Sequence, residues 1–317
     1  MQYVYGPVLS RRLGQSLGVD PVPLKTCNLN CVYCQLGPTP VGSWTEAVYP
    51  PLSVILMEVG EALASAQDLD YVTISGSGEP MLYGDIAALI RAIKDMTEVP
   101  VAVVTNGTLL TFQTVREALY QADVVLPSLD AADNRTYNRI VRPPGGLSVE
   151  QVIAGLATFR RHFAGQIWLE IMLVRGLNDT PEQLERLKIM MDFILPDRIH
   201  LNTVVRPPAV KSALPVAPER MAAIAAYFGP ACEVIAEHPD AAPLPPVEAL
   251  AERLVEIVTR HPATLSELAE TLGTLPSLVA GRLVELAAEG VIETRFHHGR
   301  LYYVANRAND GLVGLKP

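Results

Sequence analysis

The sequence predicts an α/β protein: a partial (β/α)6 TIM-like barrel followed by a small C-terminal winged helix-turn-helix domain. Six apolar runs of strand length alternate with amphipathic stretches of helical length, which is typical of right-handed βαβ units and a parallel sheet. The stretch at 239–246 is rich in proline, which cannot continue a helix or a central strand. A shorter, helix-rich segment that ends in a hairpin pattern follows it.

The six predicted strands are nearly continuous in apolar character, which indicates a barrel-like sheet covered by helices. In such sheets the chemistry lies at the carboxyl ends of the strands, because the connecting loops gather there. The predicted strands are Leu17–Leu24, Tyr71–Ser75, Val101–Thr105, Val124–Leu129, Ile167–Val174 and Ile199–Val205, and the predicted helices are Leu52–Ala66, Ile86–Met96, Thr111–Gln121, Val149–His162 and Pro181–Ile194.

Three segments are expected along the chain: the barrel over 1–238, a linker over 239–246 and the winged-helix domain over 247–317. In the last segment Thr264, with Glu267 three positions later, forms a capping-box pattern that starts a short helix. Three helices followed by a hairpin predict a winged helix-turn-helix. The predicted elements are Val247–Arg260, a helix from Thr264 to Leu272 that ends at Gly273, Pro276–Glu289, and the strands Val291–Thr294 and Leu301–Val304.

The charge balance narrows the classes of partner. The chain of 317 residues carries a net charge of −9, with a pI of about 5.2, and wide non-specific nucleic-acid binding needs a positive field. The winged-helix segment also has more acidic than basic residues, which argues against DNA, whereas RNA or a peptide stays open as its ligand. No secretory signal or membrane span is recognisable, so a cytoplasmic location is expected.

Three of the four cysteines form a C-x3-C-x2-C motif: Cys27, Cys31 and Cys34. Three thiolates this close can ligate three irons of a cubane cluster and leave the fourth iron open to a small molecule. The alternative, structural zinc, needs four ligands, and no second cysteine pair or nearby histidine is present. Cys232 stands alone and is expected to be an inert, half-buried thiol.

The cysteine spacing resembles that of the radical SAM superfamily. The resemblance implies a [4Fe–4S] cluster whose open iron binds S-adenosylmethionine (SAM) and cleaves it reductively to a 5′-deoxyadenosyl radical, which abstracts hydrogen from a substrate. It also implies that the ring of Tyr33 packs near the adenine. The stretch Ser75–Pro80 resembles the family's Gly-Gly-Glu-Pro loop, although Ser77 replaces one glycine, and it makes Gly76, Gly78 and Glu79 candidate SAM ligands.

Further candidates for SAM binding follow the later strands. By the same resemblance, Asn106 and Ser128 contact the methionine part and the ribose of SAM, Arg175 pairs with its carboxylate, and Asn202 contacts adenine or substrate. Ordinary structural roles are the alternatives: Asn-Gly is a common turn, serine often caps helices, and a strand-end arginine is often solvated.

Within the superfamily, the segments Tyr5–Gly14, Lys25–Asn28 and Cys34–Gly37 are similar to proteins grouped with the wyosine synthases. Those enzymes carry cysteines for a second cluster, which this chain lacks, so the substrate stays open among RNA or nucleoside, peptide and small metabolite. Arginines on either side of the motif are expected to form a rim for an anionic substrate or for an electron donor such as flavodoxin or ferredoxin. They are Arg11, Arg12, Arg135, Arg139 and Arg142.

Two other functions stay open at this point. One is an iron–sulfur redox sensor whose winged helix binds DNA, although its third helix carries only one arginine. The other is an enzyme that uses SAM without releasing a radical, for example for methyl transfer.

Overall fold

A computed structural model describes residues 1–236, 250–272, 274 and 276–306. It contains one eight-stranded sheet in which the strands lie side by side in chain order. The first two strands pair antiparallel, and every later neighbour pair is parallel. The strands are β1 Val4–Ser10, β2 Gly14–Val19, β3 Tyr71–Ile74, β4 Val101–Thr105, β5 Val124–Pro127, β6 Gln166–Leu173, β7 Arg198–Thr203 and β8 Cys232–Val234.

Helices connect the parallel strands, which confirms the predicted α/β fold. Three of the five predicted helices have the predicted bounds, and α5 begins with a capping box formed by Ser148 and Gln151. The apolar faces of these helices pack against one continuous core on the sheet. The helices are α1 Leu52–Ser65, α2 Ile86–Met96, α3 Gln113–Leu119, α4 Asn134–Ile140, α5 Val149–His162, α6 Pro181–Ile194 and α7 Pro218–Phe228.

The first predicted strand, Leu17–Leu24, is wrong at its carboxyl end, because β2 stops at Val19. The side chain of Asp20 accepts hydrogen bonds from the Ser77 backbone N–H (3.0 Å) and from the Ser77 hydroxyl (2.7 Å). Two prolines follow, at 21 and 23, and proline cannot donate to a sheet ladder. The chain therefore leaves the sheet at Asp20 and enters the cysteine motif.

The described residues divide into two compact units. The first contains the sheet; the second contains 206–208 together with the described residues from 250 onward. The second unit has its own apolar core, built around Leu254, Leu268 and Leu283. Its elements are α8 Leu250–Arg260, α9 Leu265–Thr271, α10 Pro276–Ala288 and an antiparallel hairpin of β9 Ile292–His297 and β10 Arg300–Ala305.

This element order is the one expected for a winged helix-turn-helix, and that assignment stays a prediction. The expected linker 239–246, the boundary at 238 and the helix end at Gly273 lie outside the described residues. In the part of the chain that the structure describes, no helix is long and apolar enough to cross a bilayer.

The capping box at the start of α9 is confirmed. The Thr264 hydroxyl accepts from the Glu267 N–H (3.3 Å), and the Glu267 carboxylate accepts from the Thr264 N–H (2.8 Å). We expect Thr264→Ala to destabilise this unit by about 1 kcal/mol, because loss of the Thr264 hydroxyl leaves the Glu267 N–H without its acceptor. Hydrogen–deuterium exchange of α9 measures the effect. Ser266→Ala, in the same helix, is the control, and an equal gain in exchange would show that the cap contributes nothing.

Candidate active site

The cysteine motif lies on the loop that follows β2, and backbone hydrogen bonds hold it against α4. The N–H of Asn30 donates to the carbonyl of Val141 (3.1 Å), and the N–H of Val32 donates to the carbonyl of Ile140 (2.8 Å). A further bond joins the Val210 N–H to the Val32 carbonyl (2.9 Å). The loop is therefore fixed by segments that lie far from it in sequence.

The glycine–glutamate loop, Ser75–Pro80, joins the start of the cysteine loop through two backbone hydrogen bonds. Lys25 N–H donates to the Ser77 carbonyl (2.7 Å), and Glu79 N–H donates to the Thr26 carbonyl (2.8 Å). A Cβ on Gly78 would lie 2.0 Å from the Thr26 carbonyl oxygen, and one on Gly76 would lie 2.0 Å from Asp20 Oδ1. Both glycines are therefore needed for the close approach of the two loops.

We expect Gly78→Ala to lower the free energy of unfolding by about 1–3 kcal/mol and to reduce iron incorporation, because the new Cβ displaces the backbone next to Cys27. Gly84→Ala is the matched control, since a Cβ there meets nothing within 4 Å. Thermal denaturation and iron content after reconstitution measure the two effects. Equal behaviour of the two variants would contradict the expected clash.

Glu79 is almost fully buried and connects the glycine–glutamate loop to the end of β4. Its carboxylate accepts hydrogen bonds from the Met81 N–H (3.0 Å), the Thr105 hydroxyl (2.6 Å) and the Asn106 N–H (2.7 Å). Burial raises the pKa of Glu79 above its usual value. A carboxylate has about four acceptor positions, so these bonds leave room for one further donor.

The three motif cysteines lie close together and none is in a disulfide. Burial raises the pKa of Cys27 to about 11, and the pKa of Cys31 is raised by burial and then by the neighbouring Cys34 and Cys27. Burial and the neighbouring cysteines thus destabilise the thiolate forms, so the cysteines bind as thiolates only where a cation compensates their charge. The irons of an iron–sulfur cluster supply that positive charge, and the donor set fits such a cluster. Lys25 supplies one positive charge already, since its Nζ donates to the Sγ of Cys34 (3.1 Å).

The arrangement of the thiols also bears on the zinc alternative. Among the described residues, no three histidine, cysteine, aspartate or glutamate side chains converge as a group that could hold one metal ion. Zinc requires its ligands around a single centre. A cubane cluster takes one thiolate per iron, so its ligands need not converge on a single ion.

Asn106 and Ser128 follow neighbouring strands, as predicted. Asn106 Nδ2 donates to Asn28 Oδ1 (2.8 Å) and lies 3.8 Å from the Sγ of Cys27, so this residue contacts the cysteine loop itself. Ser128 N–H donates to the Thr105 carbonyl (3.1 Å), and Ser128 forms an isolated parallel bridge with Glu170.

Tyr33 contacts a buried carboxyl group that the sequence analysis did not select. Its hydroxyl donates to Asp130 Oδ2 (2.5 Å), and Asp130 Oδ1 accepts from the Met172 N–H (2.8 Å). Burial raises the pKa of Asp130 to about 7. Asp130 lies two residues after the candidate Ser128, just past the end of β5, and this proximity is its only signal in the sequence.

Asn202 belongs to a buried network with Arg12 and Glu170. Arg12 binds the Glu170 carboxylate through Nε (2.6 Å) and one terminal nitrogen (2.5 Å), and Asn202 Nδ2 donates to the same carboxylate (3.0 Å). Burial alone would raise the pKa of Glu170, but the guanidinium of Arg12 holds it below its usual value. Arg12 is therefore an internal ion-pair partner, contrary to the expected place on a substrate rim.

Arg175 is exposed, and its side chain lines a cavity of about 450 Å³ together with Arg139 and Arg142. Among the described residues, its guanidinium makes no hydrogen bond to the glycine–glutamate loop. Among the predicted site residues, the structure brings together Cys27, Cys31, Cys34, Tyr33, Gly76, Gly78, Glu79 and Asn106. Ser128 and Asn202 instead contact Glu170. Arg175 lies apart from both groups, in the cavity with Arg139 and Arg142.

Comparison with known proteins agrees with this site. Residues 22–187, just over half of the chain, match the family model of the Radical SAM superfamily. The chain belongs to the radical SAM superfamily, whose enzymes use a [4Fe–4S] cluster and SAM. It is similar to a UPF0026 protein of Helicobacter pylori strain J99, with 31% identity over 268 residues that cover 83% of this chain and 86% of that protein.

A solved radical SAM methyltransferase from Sphaerobacter thermophilus shares the fold, with a TM-score of 0.53 and 18% identity over 69% of this chain and 65% of that one. A protein named GTPase Obg from Brachyspira hyodysenteriae is 37% identical over 96% of this chain, but the chain spans only 45% of that relative. This sequence contains no Gly-Lys-Ser or Gly-Lys-Thr, the pattern that ends a phosphate-binding P-loop.

Proposed function

We propose that Cys27, Cys31 and Cys34 each ligate one iron of a [4Fe–4S] cluster and that SAM binds at the open fourth iron. When bound, the cluster supplies the electron that cleaves SAM to a 5′-deoxyadenosyl radical, which abstracts hydrogen from the substrate. The observation that carries this proposal is the junction of the two loops. Three neighbouring free thiols are joined, through Lys25 and Thr26, to the buried glycine–glutamate loop.

The protein groups around this junction have distinct roles in the proposal. Lys25 stabilises negative charge on Cys34, and Tyr33 is oriented by its hydrogen bond to Asp130. In the proposal, the remaining acceptor position of Glu79 takes a hydrogen bond from the ammonium of SAM. The proposed SAM pocket consists of Tyr33, Gly76, Gly78, Glu79, Asn106, Ser128, Arg175 and Asn202.

Two members of that set have other partners in the fold. Asn202 is 1% exposed and donates to Glu170, and its contact with adenine or substrate stays a prediction. No contact in the described residues supports the predicted pairing of Arg175 with the carboxylate of SAM, because Arg175 lines a cavity with Arg139 and Arg142 instead.

The test is the anaerobic formation of 5′-deoxyadenosine. Protein reconstituted with iron and sulfide is mixed with SAM and dithionite, and the nucleoside is quantified by mass spectrometry. We expect it to form only when cluster, reductant and SAM are all present. If methylthioadenosine or S-adenosylhomocysteine accumulates instead, SAM serves another reaction and the radical proposal fails.

For the second unit we propose a winged helix that binds RNA or peptide, and for the first unit a barrel of the wyosine-synthase-related type. Flavodoxin or ferredoxin is the proposed electron donor. The charge of α10 speaks against the DNA-binding sensor, because its single arginine, Arg282, is balanced by Glu285 in the same helix, so α10 presents no excess of positive charge to phosphates. Gel shifts with RNA and with DNA of equal length distinguish the two hypotheses. Binding of DNA without binding of RNA would favour the redox-sensing regulator.

A further inference from the structure

We propose that the cavity lined by Arg139, Arg142 and Arg175 binds the phosphate group of a phosphorylated small molecule. The binding itself requires only this cavity. The conclusion that the bound molecule is the substrate rests on the proposed function, because it places the ligand beside the cluster loop.

The first observation is charge. Three guanidinium groups line one cavity, and among the described residues none of the three side chains makes an ion pair or a hydrogen bond. None of the described residues that line the cavity is acidic. In a chain with a net charge of −9, three unneutralised guanidiniums in one concave site form a local positive centre, which attracts anions.

The number and type of donors favour phosphate over carboxylate. A guanidinium presents a planar fork of N–H donors, and Arg forks bind phosphate and carboxylate oxygens in pairs. A carboxylate has two oxygens and one negative charge, so one or two arginines satisfy it. A phosphate monoester has three free oxygens and a charge near −2 at neutral pH, which suits three arginines together with the hydroxyl of Ser212, also in the lining.

The position of the cavity connects it to the proposed chemistry. One wall is Val32, which lies between Cys31 and Tyr33 in the cysteine motif. Val210, also in the lining, is joined to Val32 by a backbone hydrogen bond of 2.9 Å. A volume of about 450 Å³ is within the usual range for small-molecule sites. A ligand held here therefore contacts the loop that carries the cysteines.

The backbone fixes the positions of the three arginines on the rim of the cavity, although their side chains are exposed. Arg142 has a φ of +50°, an uncommon conformation for a residue with a side chain, and it directly precedes Pro143, which disfavours the helical alternative. Arg175 N–H donates to the Leu214 carbonyl (3.0 Å), which joins its loop to the segment carrying Ser212. Arg139 occupies the last turn of α4. The end of α4 with the residues after it and the loop after β6 thus bring the three arginines to one cavity before any ligand binds.

The experiment measures binding of phenyl phosphate to the full-length reconstituted protein by calorimetry, with benzoate as the carboxylate of similar size. We expect phenyl phosphate to bind and Arg139→Gln, Arg142→Gln and Arg175→Gln each to weaken it by about tenfold or more, because each removes charge-assisted hydrogen bonds. Arg135→Gln is the matched control: it lies one turn earlier in α4, outside the lining, and should change binding less than about twofold.

Several outcomes would overturn the proposal. Benzoate binding as tightly as phenyl phosphate would show a general anion site, and equal loss in Arg135→Gln would show a diffuse surface effect. If the three variants weaken SAM as much as phenyl phosphate, the cavity holds the carboxylate of SAM. Tighter binding of an RNA without terminal phosphates would assign the site to phosphodiesters. If the protein binds phenyl phosphate but forms no 5′-deoxyadenosine, the phosphate site stands and only the proposed function fails.

Discussion

Replacing any one of Cys27, Cys31 and Cys34 by alanine is expected to reduce 5′-deoxyadenosine formation to the level of a protein-free control. Each thiolate holds a different iron in the proposed cluster, so none of the three can substitute for another. Removal of a residue that only supports a metal ligand already lowers metal affinity or activity by about 10- to 100-fold, and removal of a direct ligand lowers it further. Iron and sulfide content, measured with the product assay, should fall in the same variants.

Cys232→Ala is the matched control for this series. Cys232 lies in β8, apart from the motif, and burial raises its pKa to about 12, so it stays a protonated thiol. We expect this variant to retain cluster content and product formation. Full activity in a motif variant, or loss of the cluster in Cys232→Ala, would contradict the proposed ligand set.

Arg12→Met is expected to lower the free energy of unfolding by about 3 kcal/mol at pH 7, because it leaves the Glu170 carboxylate buried without its counter-charge. Met keeps most of the apolar stem of the side chain. The double variant Arg12→Met/Glu170→Leu should recover much of the loss, because it removes the buried charge as well. Urea denaturation of the wild type, Arg12→Met, Glu170→Leu and the double variant forms the cycle, and a coupling energy near zero would contradict a buried pair.

The loss in Arg12→Met should also depend on pH. In the wild type, Arg12 holds the pKa of Glu170 below the ordinary value of 4.5, so the pair stabilises the fold above about pH 4.5 and less as the pH falls through the lowered pKa. In the variant, burial makes Glu170 easier to protonate, and the penalty disappears on acidification. The difference in stability should therefore shrink from pH 7 toward pH 4, and a constant difference would exclude this cause.

Much of the first unit could be predicted from the sequence, because β3–β7 coincide with predicted strands and helical stretches lie between them. The two edge strands escaped prediction for local reasons. Strand β1 contains Gly6-Pro7, and its register with β2 shifts between Tyr5 and Val8, so it shows no regular alternation. Strand β8 has only three residues, which is too short for a periodic signal.

The candidate active site likewise has parts that the sequence predicts and parts that it does not. The cysteine motif and the glycine–glutamate loop carry local patterns, and the sequence identified both. The pair of Arg12 and Glu170 joins residues 158 positions apart, and the hydroxyl of Tyr33 reaches Asp130 across 97 positions. No local pattern indicates such contacts, since they arise only when the strands lie side by side. For the same reason the sequence placed Arg139 and Arg142 in a rim with Arg11, Arg12 and Arg135, whereas in the fold they line a cavity with Arg175.

The anchoring of the cysteine loop has a consequence for the order of events during synthesis. The sheet follows chain order, so each new strand can join the edge left by the previous one as the chain emerges from the ribosome. The loop at 27–34, however, is fixed by the carbonyls of Ile140 and Val141 and by the N–H of Val210. Although the cysteines emerge early, their binding geometry is complete only after residue 210, so maturation with iron and sulfide would follow translation of most of the chain.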